Sequence, residues 1–354
     1  MIQLGHNMIQ LIERQKRILG FISKNPKVQN KDILDHLNGG ISRATVARDL
    51  DFLCKNNLIE RSGKGRSVYY SEKISNKLLS YIDVIDYFEK DPDERELSSK
   101  NFNLKIFEKI NNLFFEEELK EIDELNIDYR KRVKKLSPTI LKKEWERMII
   151  ELSWKSSKIE GNTYDLIDTE ILIKENIEAQ GHKKEETIMI LNHKKALDFI
   201  LKEKNDFKKI SFRDIEDVHF LLTSNLGIKK GIRNNLVGIF GTNYTPLDNK
   251  YQIREALEEL IKLINETKHP IEKALIIGFL LPYIQPFEDG NKRTSRILAN
   301  AVLLAYDYTL LSFRSINEAD YKKSLILFYE QNNVRFFKEL FIDQFKFSTS
   351  TYFR

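Results

Sequence analysis

A single cysteine, Cys54, in 354 residues excludes an intrachain disulfide and any zinc site built from several thiolates. It sits beside Leu53 on a helical stretch and reads as packing. No uninterrupted apolar run reaches membrane-spanning length, and the N-terminus lacks a signal-peptide pattern, so no membrane partner is expected and the expected location is cytoplasmic. Neither an internal repeat nor a low-complexity tract is visible. Histidine is scarce: His6, His36, His182, His193, His219 and His269 are the six, with His182, His193 and His219 on helical stretches, and each reads as a core or surface residue. With 41% hydrophobic residues, the chain can bury two or more cores, and its length suggests two or three domains.

Chemistry concentrates in residues 285–296, Q-P-F-E-D-G-N-K-R-T-S-R. The helical spacing of Ile297 to Leu304 makes this loop the start of a helix, whose backbone N–H groups and positive dipole end favour an anion. Asp289 offers a hard oxygen for Mg²⁺, while Gly290 and Asn291 let the backbone approach phosphate oxygens. Arg293 and Arg296, three apart, share a helix face and suit successive phosphates. A metal-bound nucleotide is the ligand this set points to.

The run resembles the Fic family signature, H-x-F-x-(D/E)-G-N-(G/K)-R-x-x-R, at every fixed position except the first, where Gln285 replaces histidine. The resemblance implies a mainly α fold: a helical Fic core with a β-hairpin flap, here at residues 141–354, transferring AMP from Mg-ATP to a Tyr, Ser or Thr hydroxyl of a protein substrate or of the chain itself. Carried over by position, Phe287 anchors the loop, Asp289 holds Mg²⁺, and Gly290, Asn291, Lys292, Arg293 and Arg296 bind the nucleotide, Arg296 at the γ-phosphate. The family's histidine accepts the proton of the attacking hydroxyl, a function the Gln285 amide cannot perform; a positioned base contributes roughly 10²–10⁴-fold. The alternative function is therefore a catalytically inactive, ATP-sensing regulator that binds DNA.

Two other segments fit the same family. Ser156 to Asn162 resembles its (S/T)-x-x-x-E-(G/N) inhibitory motif, expected on a helix over about residues 148–162, with Ser156, Glu160 and Gly161 as its key positions. The implied role of Glu160 is to pair with Arg296 and hold the γ-phosphate out of place. As bare residues the segment also reads as a helix stopped by Gly161 and Asn162. Residues 234–249, glycine-punctuated and partly β-branched, read as a small hairpin and resemble the family's target-docking flap, with Ile239, Phe240, Gly241 and Thr242 at its tip.

Residues 1–70 hold twelve Lys and Arg against six Asp and Glu, so the basic charge is concentrated there. Helical periodicity over Gln15–Ile22 and Asn30–Leu37, a break at Asn38-Gly39-Gly40 and a Ser42-capped helix to about Lys55 follow the helix-turn-helix pattern. Strands at Leu58–Arg61 and Ser67–Tyr70 flank a basic glycine turn. Residues 1–72 resemble an α/β winged helix of bacterial transcription regulators. That resemblance implies DNA as a partner, read by Ser42, Arg43, Thr45 and Arg48 with Lys64 and Arg66 on phosphates. Residues 73–140 read as a helical connector, with a charged hinge at 83–95 and helices at Phe102–Ile110 and Phe115–Ile127. The aromatic helices at Tyr321–Tyr329 and Val334–Phe347 fit either core packing or a homodimer surface.

Overall fold

The computed structural model describes residues 11–25, 27–37, 40–73 and 76–354. The fold is mainly helical, with one two-stranded antiparallel sheet among the described residues, and the chain divides into two compact units between Lys90 and Asp91. His6, Asn38 and Gly39, named in the sequence reading, lie outside the described residues.

In the first unit α1 (Glu13–Lys24), α2 (Asn30–His36) and α3 (Arg43–Lys55) precede β1 (Ile59–Ser62) and β2 (Tyr69–Glu72). Ser42 Oγ accepts from the Thr45 N–H and starts α3. Burial of Val46, Leu50 and Leu53 then turns one stripe of that helix onto Ile18 and Ile22 of α1 in a shared core. The strands pair with Ile59 opposite Glu72 and Ser62 opposite Tyr69, and Val28 adds an isolated antiparallel bridge to Tyr70. The turn between them depends on Gly63, at φ +86°, where a Cβ would lie 2.1 Å from the Ser67 carbonyl oxygen. The short helix α4 (Val84–Glu89) closes this unit, with Asp83 Oδ1 accepting from the Ile85 and Asp86 N–H groups.

The second unit is built around α12 (Pro270–Ile284), apolar on every face after Glu272 and Lys273 of its first turn and buried from Lys273 to Ile284. Such a helix can only be a core element. It runs into the loop at 285–290 and returns as α13 (Asn291–Ala305), itself almost wholly buried. Around this pair stand α6 (Glu116–Val133), α7 (Pro138–Ile159), α8 (Leu166–Glu175), α9 (Lys184–Lys202), α10 (Phe212–Thr223), α11 (Lys250–Glu266), α14 (Glu318–Gln331) and α15 (Arg335–Thr351). Most aromatic residues of α14 and α15, among them Phe328, Phe337, Phe341 and Phe345, are buried, while Phe347 is half-buried.

Three local readings change. The helix expected at Phe102–Ile110 shrinks to α5 (Ile106–Lys109), because Phe102 stacks on Tyr283 at 4.7 Å and the Asn103 side chain accepts from the Lys105 N–H. His182 lies in the loop before α9. Residues 231–249 hold no strand: Thr245 alone forms a bridge, to Asn101, and the segment is an irregular loop. Its carbonyls meet an arginine in place of a ladder, since Arg233 Nη1 donates to Asn235 O at 2.7 Å and Nη2 to Leu247 O.

Because Leu50 is fully buried and Phe52, on the same helix, is 37% exposed, Leu50→Ala should lower the stability of the first unit by about 2–5 kcal/mol while Phe52→Ala costs under about 0.5 kcal/mol. Urea unfolding followed by far-ultraviolet circular dichroism checks this; equal midpoints would contradict the packing described.

Candidate functional site

α12 ends because Gln285 takes a left-handed conformation, φ 52° and ψ 57°, with its N–H still bonded to Leu281 O. The side chain consequently folds back. Its Nε2 donates to Pro282 O at 2.7 Å, a carbonyl near the end of the helix. Its Oε1 accepts from Asn291 Nδ2 at 2.7 Å, and Arg233 Nε donates to the Gln285 carbonyl at 2.6 Å. The residue is only 9% exposed.

Asn291 completes the loop from the other side, accepting from the Phe287 N–H at 2.9 Å and donating to Phe287 O at 2.9 Å. Phe287 is fully buried and stacks on His219 of α10 at 3.7 Å, and His219 Nε2 donates to Asp289 O at 3.0 Å. Gly290 turns the chain into α13 at φ +83°; a Cβ there would lie 2.9 Å from Thr223 Cγ2. Only glycine keeps this helix start tight against α10 while leaving its backbone approachable.

The charged residues divide into a pair and a group of three. Arg293 Nη2 meets Asp289 Oδ2 at 3.1 Å, the arginine buried and the carboxylate side chain 70% exposed, and Gly290 N–H donates to Asp289 Oδ1 at 2.5 Å. Deeper in, Arg296 is 1% exposed. Its Nη2 donates to Glu160 Oε1 and to Ser156 O at 2.8 and 2.9 Å, and its Nε to Ser156 Oγ at 2.9 Å. The other Glu160 oxygen takes Lys292 Nζ at 2.9 Å. Arg296 Nη1 is buried without a hydrogen-bond partner among the described residues.

Burial by itself would raise the Glu160 carboxyl, but Arg296 and Lys292 override it and hold the group at about 2. Ser156 is fixed from behind. Its hydroxyl donates to His193 Nε2 at 2.8 Å, while His193 Nδ1–H donates to Met189 O at 2.8 Å, a tautomer assigned from these partners. Burial lowers His193 to about 3, so the ring is neutral. Gly161, at φ +98°, and Asn162 turn the chain away after α7.

Thus Gln285, Asp289, Gly290, Asn291, Lys292, Arg293, Arg296, Ser156 and Glu160 meet in one place, and the loop carrying Ile239, Phe240, Gly241 and Thr242 is tied to it through Arg233. Arg233, His193 and His219 were not singled out as site residues. No periodicity marks Arg233, and the two histidines matter through tertiary contacts alone.

In the first unit Arg43, Arg48 and Lys64 are exposed, Ser42 is occupied in capping and Thr45 is half-buried; the Arg66 side chain lies outside the described residues. A cleft of about 650 Å³ runs between α2, the start of α3 and the β1–β2 turn, lined by Lys31, Arg43, Arg61 and Tyr70. Lys31 and Arg61 had not been picked out, because they are distant in sequence from the α3 cluster.

Residues 209–303 match the Fic/DOC family. Protein adenylyltransferase fic-1 of Caenorhabditis elegans is 27% identical over 175 residues, 47% of this chain and 34% of its own length. For protein adenylyltransferase Fic of Nematostella vectensis the figures are 28% over 178 residues, 49% and 41%. The match therefore spans well under half of these curated relatives. Among solved structures, Fic-1 from C. elegans aligns with a TM-score of 0.58 at 23% identity, covering 66% of this chain and 69% of its own. A Fic domain containing signaling protein from Bacteroides thetaiotaomicron gives 0.54 at 19%, covering 66% and 96%. At such identities the likeness is one of fold.

Removing Glu160 leaves Arg296 buried without its carboxylate, so Glu160→Gln should cost about 3–5 kcal/mol in urea unfolding; an unchanged midpoint would deny the pair its role. The pH dependence follows from three depressed groups, Glu160, His193 and His219. His193, folded near 3, takes up its proton first in the unfolded chain, so stability falls as pH drops below about 6.5, by up to about 1.4 kcal/mol per unit. The contribution of Glu160, held at about 2, is complete above its unfolded value near ~4.5 and is lost only below that. Unfolding at pH 7.5 and 5.5 should show a drop that His193→Gln reduces by about half, the remainder coming from His219, which burial lowers to about 4; the same drop in both chains would contradict a neutral buried ring.

Proposed function

We propose that the chain is a Fic-type protein adenylyltransferase held at low turnover, using Mg-ATP as donor, with Glu160 as its brake and Gln285 limiting its rate. The observation that carries this reading is Glu160 bonded at once to Arg296 and Lys292, at the N-terminal end of the helix where phosphates would bind. A carboxylate in that position competes with a phosphate for the same two cations. The names of the curated relatives, protein adenylyltransferase, support AMP as the group moved.

In this reading Arg293 and Arg296 hold the phosphates, the orphaned Arg296 Nη1 finds an acceptor, and Gly290 gives the backbone room to approach. The exposed Asp289 carboxylate fits a hard divalent cation, and Mg²⁺ when bound would neutralise phosphate charge. A target hydroxyl oxygen forms a bond to the α-phosphorus, the bond to the β-phosphate oxygen breaks, and pyrophosphate leaves. The hydroxyl proton must pass to solvent, because the Gln285 amide has no basic site and both its polar ends are engaged within the loop. Electrostatic stabilisation remains, and the missing base costs roughly 10²–10⁴-fold.

That same engagement of Gln285 favours a second reading, an ATP-responsive DNA-binding regulator with a retired active site. Three helices, a two-stranded wing and a cleft bearing Lys31, Arg43 and Arg61 support a winged helix whose first contacts are DNA phosphates.

Labelling with α-phosphate-labelled ATP and Mg²⁺ separates the two. Transfer by Glu160→Gly with Gln285 retained supports the enzyme; transfer only after Gln285→His is added supports the regulator; none in the double variant sinks the transferase reading. For DNA, log affinity should fall linearly with log salt, and Lys31→Ala or Arg61→Ala should each reduce the slope by about 1. Salt-independent binding would remove the phosphate contacts.

A further inference from the structure

The loop at 231–249 has two arms of different character. The outer arm is open, with Leu236 69% and Phe240 100% exposed. The inner arm is anchored: Tyr244 is 3% exposed, its hydroxyl donates to Tyr283 O at 2.8 Å, and its ring stacks against both Tyr283 and Tyr329 at 4.8 and 5.4 Å. A strap from residues 91–101, outside the stretch that matches the Fic/DOC family, lies along that inner arm. Thr245 N–H donates to Lys100 O at 2.7 Å, Asn101 bridges Thr245 in parallel, and Asn243 Nδ2 donates to Pro92 O at 3.1 Å and Asp93 Oδ1 at 2.8 Å.

Where the arms join, Gly241 sits at φ +82°, and its carbonyl accepts from Arg95 Nη2 at 2.6 Å. The same guanidinium reaches Glu330 Oε2 of α14 at 3.5 Å, with side chains 2% and 0% exposed. A guanidinium can hold two acceptors at fixed angles, which an ammonium cannot. We infer that Arg95 is a positioning residue for the flap: anchored to buried Glu330, it fixes the turn at Gly241 and thereby the direction in which Phe240 is presented to a protein target. The strap occupies the pairing edge at Thr245, which directs an extended target to residues 234–240. The target's part in this rests on the transferase reading above; the fixing of the turn does not.

The test uses the full chain and two variants. In Arg95→Lys the charge opposite Glu330 is kept and the fork is lost; in Arg95→Met with Glu330→Gln both charges are removed, so neither leaves a lone buried ion. Hydrogen exchange should accelerate about tenfold or more at residues 238–245 in both, with α12 and α13 unchanged. Calorimetric Mg-ATP affinity should stay within about twofold. Unchanged exchange at 238–245, or acceleration spread evenly over residues 91–354, would overturn the assignment, the second outcome marking Arg95 as a general stabiliser. Absence of Mg-ATP binding in the native chain as well would instead defeat the nucleotide reading, and the exchange pattern would still decide the role of Arg95.

Discussion

A guanidinium buried to 1% exposure needs acceptors beside it, and an anion meets that need most strongly; Arg296 places this demand at the start of α13. Glu160 meets it here, with Lys292 sharing the carboxylate and Ser156 accepting from Arg296 Nε and Nη2. The end of α7 is fixed where it is by this requirement, and His193 beneath Ser156 stays neutral because it is buried, one ring nitrogen accepting from Ser156 while the other donates to Met189. A site in which one cation is already satisfied by the protein's own carboxylate is a site whose ligand must displace it.

The signature residues and Glu160 were legible because their spacing is local: two arginines three apart, a serine and glutamate four apart, a glycine at a helix start. Helix caps were equally legible, Ser42 among them, since a capping side chain bonds a backbone group three residues on. The orientation of Gln285 was not. It depends on a left-handed residue at the end of α12 and on Asn291 and Arg233 closing in from other elements. The cleft in the first unit was missed for the same reason, as Lys31, Arg43 and Arg61 come from three elements.

The expected hairpin failed through a competition that sequence does not display. Its residues have the glycine and β-branched pattern of a strand pair, but a ladder needs facing carbonyls and N–H groups free to pair. Arg233 takes the carbonyls of Asn235 and Leu247, and residues 100–101 take the edge at Thr245. Arginine side chains thus substitute for strand pairing beside the site, and they leave an outer arm whose apolar residues face solvent.

The central claim is that Glu160 and a nucleotide phosphate compete for Arg296. Calorimetric titration of Mg-ATP into the native chain and into Glu160→Gly measures this directly. The account predicts binding to both, tighter by about tenfold or more in the variant, the size expected when a charge-assisted contact no longer has to be displaced. Equal affinity in the two chains, or binding to neither, would contradict it.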